Sequence, residues 1–251
     1  MELVLSNLFL IALGGCLGSF ASMLIYRLPR LDKSINILRP RSFCPQCKTQ
    51  LSFFQLLPFI GYIYSKGKCG ACKNRISPMY LVNEIMIAFS VIFFTNLMGL
   101  NNSMVWIIIA IVFILYVQSM IDQETLLLSQ PLSLLLVILG LTINIWQSFF
   151  TIPIDAFLGL VFGYGLLFSI NLLHKIIRNI DGIGSGDFLF LGGIGSIFGA
   201  SSIGPILLMG SSITLCLYLL KRKKEKELPL GFGLGFGAIL YCILFIAIST
   251  P

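Results

Sequence analysis

Long apolar runs alternate with short polar segments along almost the whole chain. Runs of about 17 to 23 apolar residues have the length that an α-helix needs to cross the hydrocarbon core of a membrane. The pattern predicts about eight such helices, over residues 4–26, 79–98, 104–121, 129–147, 154–174, 187–200, 203–220 and 230–249. The run at 187–200 is the shortest of them and is rich in glycine.

The composition supports a chain that spans a membrane. Hydrophobic residues make up 57% of the 251 residues, and charged residues make up only 11%. Soluble globular domains carry roughly twice that share of charged residues. We therefore predict an all-α integral membrane protein. The first run is not expected to be a cleaved secretory signal, because no basic segment precedes it and the positive charge follows it.

Lysine and arginine are confined to three segments of the chain. Ten of the 17 lie within 27–75, two within 175–178 and five in KRKKEKE from Lys221. With eight helices these segments all face the same side, and the positive-inside rule makes that side the cytoplasm. Both termini are then outside. Because the topology explains the net charge of +7, we expect no nucleic-acid binding. We expect the chain to contact membrane lipid head groups.

The only long hydrophilic segment, residues 27–78, contains two Cys-x-x-Cys pairs. Cys44 and Cys47 form the first pair, Cys69 and Cys72 form the second, and residues 48–68 separate them. Four thiolates in two such pairs are typical of a structural zinc site. A pair of redox disulfides is the rival interpretation, which a cytoplasmic location disfavours. We predict three parts: a first membrane helix (1–26), a cytoplasmic zinc-binding loop (27–78) and a seven-helix membrane bundle (79–251).

Two aspartates lie at the ends of predicted helices on the same side of the membrane. Asp122 ends the third helix, which runs inward, and Asp187 begins the sixth, which runs outward. Two carboxylates at one depth can share a proton, because two like charges at short range cannot both be ionised. The ionised one can then activate a water while the protonated one polarises a peptide carbonyl, as in aspartic proteases. Alternatively, each aspartate is only the polar end of its helix.

Three glycines, Gly182, Gly184 and Gly186, precede Asp187. Without side chains they can let the chain bend and let a substrate backbone approach the carboxylate. Asp155 is expected at the opposite face of the membrane, and Glu84 near the inner end of the second helix. The single histidine, His174, is predicted to be a solvated residue at the boundary rather than a catalytic base.

Several motifs, in order, resemble a known family over nearly the full length. They are GGCLGSFASMLIYRLPR, the two Cys-x-x-Cys pairs, ISPMYLVNEI, IDQETLLL, GSGDFLFLGGIGSIFG and LPLGFGLGFGAIL. The chain resembles the type IV prepilin peptidases of bacterial pilus, type II secretion and competence systems, which are leader peptidases and N-methyltransferases of the inner membrane.

The resemblance implies specific roles for residues of this chain. Asp122 and Asp187 correspond to the family's catalytic aspartates, the four cysteines to its zinc loop and Glu84 to the glutamate of its Pro-Leu-Val-Glu motif. The implied substrate is a prepilin or pseudopilin, cut after a glycine between a basic leader and a hydrophobic helix. The family then methylates the new N-terminus with S-adenosylmethionine, although no nucleotide-binding loop is recognisable here.

The chain departs from the family pattern at three places. Ser129 and Gln130 replace a Pro-Asp pair beyond Asp122, which we expect to affect cleavage little. Ser22 stands where the family commonly has asparagine, and Asn83 lies within an altered Leu-Val-Glu segment. If the asparagine serves methyl transfer, Ser22 affects the second activity.

Two other functions fit parts of the pattern. A presenilin-like or preflagellin-type aspartic peptidase without methyl transfer would share Gly-x-Gly-Asp, but the four-cysteine loop and the place of Asp122 at a helix end argue against it. A proton-coupled transporter would use its acids as a relay, and it predicts acids spread across the depth of the membrane.

Overall fold

The computed structural model describes residues 2–31, 36–37, 39–220 and 228–249. The described residues form ten α-helices and no named strand. The helices are α1 Glu2–Arg27, α2 Phe53–Leu56, α3 Ile60–Tyr64, α4 Met79–Met98, α5 Ser103–Thr125, α6 Gln130–Gln147, α7 Pro153–Arg178, α8 Ser185–Phe198, α9 Ile203–Leu220 and α10 Leu230–Ser249. The basic segment KRKKEKE, expected on the cytoplasmic side, lies outside the described residues.

The predicted all-α membrane fold is confirmed. Within the described part of the chain, seven helices are long and apolar enough to span a membrane, and the eighth apolar helix is α8. With 14 residues, α8 is about 21 Å long, which is shorter than the roughly 30 Å of a hydrocarbon core. Its shortness follows from the glycines and polar residues at both of its ends.

The chain divides into two compact units, residues 1–113 and 114–251, with the division inside α5. In the first unit, α1 packs on α4 through a Gly-x-x-x-Gly pair. A β-carbon at Gly14 would lie 2.5 Å from the Cα atom of Ala88, and one at Gly18 would meet the backbone of Glu84. Small residues at this spacing let two helix backbones approach closely.

In the second unit, α8 is almost enclosed, and ten of its 14 residues are buried. Its glycines allow α7 to pack against its backbone, since a β-carbon at Gly159 or Gly195 would collide with the backbone of the other helix. A β-carbon at Gly163 would lie 2.6 Å from the carbonyl oxygen of Leu191. The glycine-rich composition that made the sixth run unusual is therefore what places α8 at the centre of this unit.

Two polar residues hold the C-terminal end of α8. The side-chain amide of Asn144 donates to the carbonyl oxygens of Ser196 and Ile197, at 3.0 and 2.8 Å. Asp155 accepts hydrogen bonds from the hydroxyl of Thr151, at 2.7 Å, and from the backbone N–H of Ala200, at 3.3 Å. Asp155 therefore fixes the turn after α8, and it belongs to the structure rather than to the site at the other end of the helix.

Candidate functional site

Asp122 lies in the last turn of α5 and is only 5% exposed. One of its carboxylate oxygens, Oδ2, accepts a hydrogen bond of 2.8 Å from the backbone N–H of Phe232, in the first turn of α10. A β-carbon at Gly231 would lie 3.1 Å from the carboxylate carbon. The N-terminal end of α10 therefore holds this carboxylate through a backbone donor, in a place where a helix favours negative charge.

Asp187 is in the first turn of α8, and it interacts electrostatically with Asp122. Its carboxylate oxygen Oδ1 is buried and has no hydrogen-bond partner among the described residues. Leu128 lies beside both aspartates, because β-carbons at Gly186 and Gly231 would each lie 3.0 Å from its side chain. The structure thus brings together the two aspartates that the sequence placed at helix ends.

The glycines before Asp187 contribute close packing instead of an unusual bend. None of Gly182, Gly184 and Gly186 has a positive φ. A β-carbon at Gly182 would lie 2.9 Å from the ring nitrogen Nδ1 of His174, and one at Gly184 would lie 3.2 Å from Asp187 Oδ2. The bend therefore needs no left-handed backbone, whereas the space beside the carboxylate depends on the missing side chains.

A second polar cluster holds the loop that leads to Asp187. The side-chain oxygen of Asn171 accepts hydrogen bonds from the backbone N–H groups of Gly182 and Ile183, at 2.8 and 3.0 Å. Lys175 pairs with Asp181 at 3.1 Å, and both are more than half exposed. His174 contacts the carbonyl oxygen of Ile180 at 3.1 Å. His174 is thus a half-buried part of the loop support.

Gln118, one turn before Asp122 on α5, fixes the connection to α6. It is fully buried. Its amide donates to the carbonyl oxygen of Ser129 and the hydroxyl of Ser133, at 2.9 and 2.7 Å, and its oxygen accepts from the N–H of Ser129 at 2.9 Å. These three hydrogen bonds form the Gln118 clamp. Leu128, which lies beside the two aspartates, directly precedes Ser129, so the clamp positions one wall of the site.

We expect Gln118→Leu to destabilise the protein by about 1 to 3 kcal/mol, because buried polar groups of the loop lose their partner. Cleavage should fall as Leu128 and Asp122 lose their fixed position. The measurement is thermal unfolding in detergent together with the cleavage rate. Thr142→Ala is the matched control, since that exposed hydroxyl bonds only to its own helix. Wild-type stability and activity of Gln118→Leu would contradict the clamp.

In the first unit, the four cysteines form one cluster. Their sulfurs all lie within 4.8 Å of one another, and the Sγ atoms of Cys44 and Cys72 are 3.9 Å apart and those of Cys47 and Cys69 are 3.8 Å apart. Tetrahedral thiolates about 2.3 Å from a zinc ion would be separated by about 3.8 Å. These distances fit a metal ion and are far too long for disulfide bonds. The cluster could hold a metal ion.

The two cysteine pairs sit in matching turns. The N–H of Cys44 donates to Thr49 and that of Cys69 donates to Asn74, both at 2.9 Å. Lys48 and Lys73, at the same place in each turn, both have φ of 60°. Each turn is therefore a knuckle of the same shape.

Hydrogen bonds in these knuckles favour the thiolate at Cys47 and Cys69, whereas the pKa of Cys72 is raised to about 11 by burial and by its cysteine neighbours. Bonds from the side chain and backbone of Thr49 lower the pKa of Cys47 to about 6. The backbone N–H groups of Cys72 and Ala71 likewise lower the pKa of Cys69.

Comparisons with known proteins show the family of this chain. Residues 12–98 match the bacterial peptidase A24 N-terminal domain, and residues 106–220 match the type IV leader peptidase family. A prepilin leader peptidase/N-methyltransferase of Stutzerimonas stutzeri is 30% identical over 226 residues, which cover 81% of this chain and 76% of the relative. The chain belongs to the type IV leader peptidase family.

Other members of the leader peptidase family are similarly related. Proteins of the same name from Klebsiella pneumoniae and Neisseria gonorrhoeae are each 29% identical, covering 81% and 80% of this chain and 90% and 77% of the relatives. No solved structure matches the chain significantly. With its seven membrane-capable helices, this leader peptidase is an integral protein of the bacterial inner membrane.

The structure shows the surroundings of the residues that depart from the leader peptidase pattern. Gln130 is exposed, so its side chain is not part of the buried polar clamp. Ser22 and Asn83 are both buried and contact each other, with the amide of Asn83 donating to the hydroxyl of Ser22 at 3.0 Å. The amide expected on α1 at position 22 is thus supplied by α4, from position 83.

Three site features were not predicted from the sequence: Gln118, Asn171 and the N-terminal end of α10. Gln118 and Asn171 could have been found as polar side chains inside apolar runs, which are often functional in membranes. The contact of α10 with Asp122 joins residues 110 positions apart through a backbone N–H. The identity of the residues does not indicate such a contact.

Proposed function

We propose that this chain is a membrane aspartic endopeptidase that removes the leader of type IV prepilins or pseudopilins, with Asp122 and Asp187 as its catalytic residues. The observation that supports this most directly is the meeting of the two carboxylates in the second unit, one at the end of α5 and one at the start of α8. Their neighbours include glycines, a leucine and backbone groups.

The different surroundings of the two carboxylates suggest different roles. Asp122 accepts a hydrogen bond from a backbone N–H at a helix N-terminus, which stabilises an ionised carboxylate. Asp187 has an oxygen with no partner among the described residues, which suits a carboxylic acid whose proton is given to the substrate. In this assignment Asp122 takes a proton from the attacking water while Asp187 protonates the peptide carbonyl.

The chain can be divided into three parts with different roles. We propose residues 1–26 as the first membrane helix, 27–78 as the cytoplasmic loop and 79–251 as the helices that carry the protease site. With α8 counted as a short crossing that is buried among the other helices of its unit, the distribution of lysine and arginine supports outside termini. Cleavage would then occur at the cytoplasmic boundary, where a basic leader meets a hydrophobic helix.

We also propose zinc as the ion of the four-cysteine cluster. Four thiolates with tetrahedral spacing suit zinc, and four protein ligands leave no open position for a water. The role of the ion is therefore structural: Cys44, Cys47, Cys69 and Cys72 would tie the two knuckles together. The cysteine cluster belongs to the first unit and the two aspartates to the second.

We propose that this chain also methylates the N-terminus that cleavage creates, because the names of its relatives include N-methyltransferase. S-adenosylmethionine is the expected methyl donor. Cleavage needs only the two aspartates and a water, whereas methyl transfer needs a free amine that exists only after cleavage. A peptidase without methyl transfer is the alternative.

The order of the two reactions can be tested by mass spectrometry with a prepilin from the same organism. Without S-adenosylmethionine the product should be cleaved and unmethylated, and with it the product should gain the mass of one methyl group. Asp187→Asn should leave the precursor uncut and unmethylated, but should still methylate a synthetic peptide with the mature N-terminus. A cleaved product that never gains a methyl group would leave this chain a peptidase alone.

A further inference from the structure

The first unit contains a cavity of about 160 Å³ that the peptidase mechanism does not use. Its lining comes from α1, the cysteine-containing loop and α4. Its lining residues include Ser19, Tyr26, Tyr62, Tyr80 and Glu84. A cavity with a few convergent polar groups is the usual form of a small-ligand site.

Glu84 is the acidic residue of this cavity, and it is only 9% exposed. Its oxygen Oε2 accepts a hydrogen bond of 2.7 Å from the backbone N–H of Phe59, and Ser19 also hydrogen-bonds to it. Phe59 has a φ of 61°, which is unfavourable for a residue with a side chain. The contact therefore fixes both the carboxylate and the chain that closes over it.

No cation of the described residues pairs with Glu84, since their one ion pair joins Lys175 and Asp181. Arg27 lines the same cavity, but its guanidinium donates to the carbonyl oxygens of Asn36, Ile37 and Pro40, at 3.0, 2.8 and 2.6 Å. A buried carboxylate without a cationic partner is costly. A positively charged ligand would remove that cost.

The aromatic lining suits the same kind of ligand. Tyrosine rings attract cations through their faces. One of the lining tyrosines, Tyr26, already has the guanidinium carbon of Arg30 at 4.6 Å from its ring centre. The carboxylate and the rings of Tyr62 and Tyr80 thus form one cavity suited to a small organic cation.

We propose that this cavity is the methyl-transfer site and that Glu84 binds its cationic reactant. This inference rests on the proposed function, because the two cationic groups of that reaction are the α-ammonium released by cleavage and the sulfonium of S-adenosylmethionine. Either would pair with the same carboxylate. Glu84 belongs to the first unit, so this site is separate from the two aspartates in sequence and in structural unit.

The assigned reaction needs a base as well as a binding group. The α-ammonium must lose one proton before its nitrogen can attack a methyl carbon, and the carboxylate of Glu84 can accept that proton. The nitrogen then forms a bond to the methyl carbon as the carbon–sulfur bond breaks. The electron pair of that bond stays on sulfur, which leaves as a neutral thioether, and the proton passes from Glu84 to water.

Binding to purified full-length protein tests the proposal with two matched pairs of probes. One pair is a peptide with the mature pilin N-terminus, with a free or an acetylated amine. The other pair is S-adenosylmethionine and its neutral product S-adenosylhomocysteine. In at least one pair, the cationic probe should bind the wild-type protein at least about tenfold more tightly, as expected for a charge-assisted hydrogen bond. The pair that shows the difference identifies the source of the cation.

Glu84→Gln should abolish that preference, because glutamine keeps an oxygen for the N–H of Phe59 but lacks the charge. The exposed Glu124→Gln is the matched control. Methylation of the pre-cut peptide should fall at least about tenfold in Glu84→Gln, while zinc content shows that the fold is intact.

The proposal is overturned if the wild-type protein prefers neither cationic probe, a result that does not depend on any variant folding. It is also overturned if folded Glu84→Gln keeps the preference. Cleavage of a prepilin by the same wild-type preparation separates these outcomes from a failure of the proposed function, in which the precursor would remain uncut.

Discussion

Replacement of either Asp122 or Asp187 by asparagine is expected to reduce prepilin cleavage at least about a thousandfold. Asparagine nearly preserves the volume of the side chain, but it can neither take a proton from water nor give one to a carbonyl. The two residues act as one unit, so the double variant should be no worse than either single one. The measurement is the cleavage rate of purified protein, with the amount of inserted protein determined in parallel.

Asp155→Asn is the control for these variants. Asp155 is also an aspartate at the start of a membrane helix, but it bonds to Thr151 and Ala200 near the C-terminal end of α8. Asparagine keeps an oxygen acceptor there, so cleavage should remain within about threefold of the wild-type rate, which is about 0.6 kcal/mol. Substantial cleavage by Asp122→Asn or Asp187→Asn would remove the aspartate pair from the mechanism.

Serine at Cys69 is expected to remove most of the bound metal and to destabilise the loop. Purified wild-type protein should contain about one zinc ion per chain, because four thiolates close one tetrahedral site. Cys69 is 4% exposed, and a hydroxyl there is a poor zinc ligand. Because the binding energy of a structural zinc ion is also folding energy, metal content and thermal stability should fall together. Elemental analysis and thermal unfolding measure the two effects.

Cys16→Ser is the matched control, since Cys16 is an exposed residue of α1 outside the cluster. It should keep the full zinc content. Removal of metal from the wild-type protein by a chelator should reproduce the loss of stability seen in Cys69→Ser. A metal-free preparation that is folded and stable would refute the structural role of zinc.

The helices and the chemistry-bearing residues could be predicted because each depends on a local pattern. Apolar runs of membrane length gave the places of α1 and α4 to α10, although α8 proved too short to cross a membrane alone. The spacing of the cysteines predicted one four-sulfur cluster, which the structure confirms. Their use as zinc ligands, and that of Asp122 and Asp187 as catalytic residues, stay predictions for the experiments above.

The supports of the site could not be predicted, because they join distant parts of the chain. Phe232 donates to Asp122 through its backbone, so the donor would be present with almost any residue at that position. Gln118 reaches Ser129 and Ser133 across a turn whose shape the apolar pattern does not specify. Periodicity shows which segments are helices, whereas packing decides which helix end meets which carboxylate.

The exchange between positions 22 and 83 illustrates the same limit. Taken separately, Ser22 lacks the side-chain amide of the family's asparagine, and Asn83 is a change within the Leu-Val-Glu motif. In the structure their side chains meet, so the amide is retained on the opposite helix. The consequence of Ser22 for methyl transfer stays a prediction for the methylation assay.

The most direct test of the central claim is intact-mass spectrometry of a purified prepilin from the same organism after incubation with the purified wild-type protein. The account predicts two fragments, cut at one bond between the basic leader and the hydrophobic helix, whose masses sum to the precursor plus one water. No cofactor should be needed for this step. A precursor that stays uncut by folded, zinc-containing protein would contradict the account.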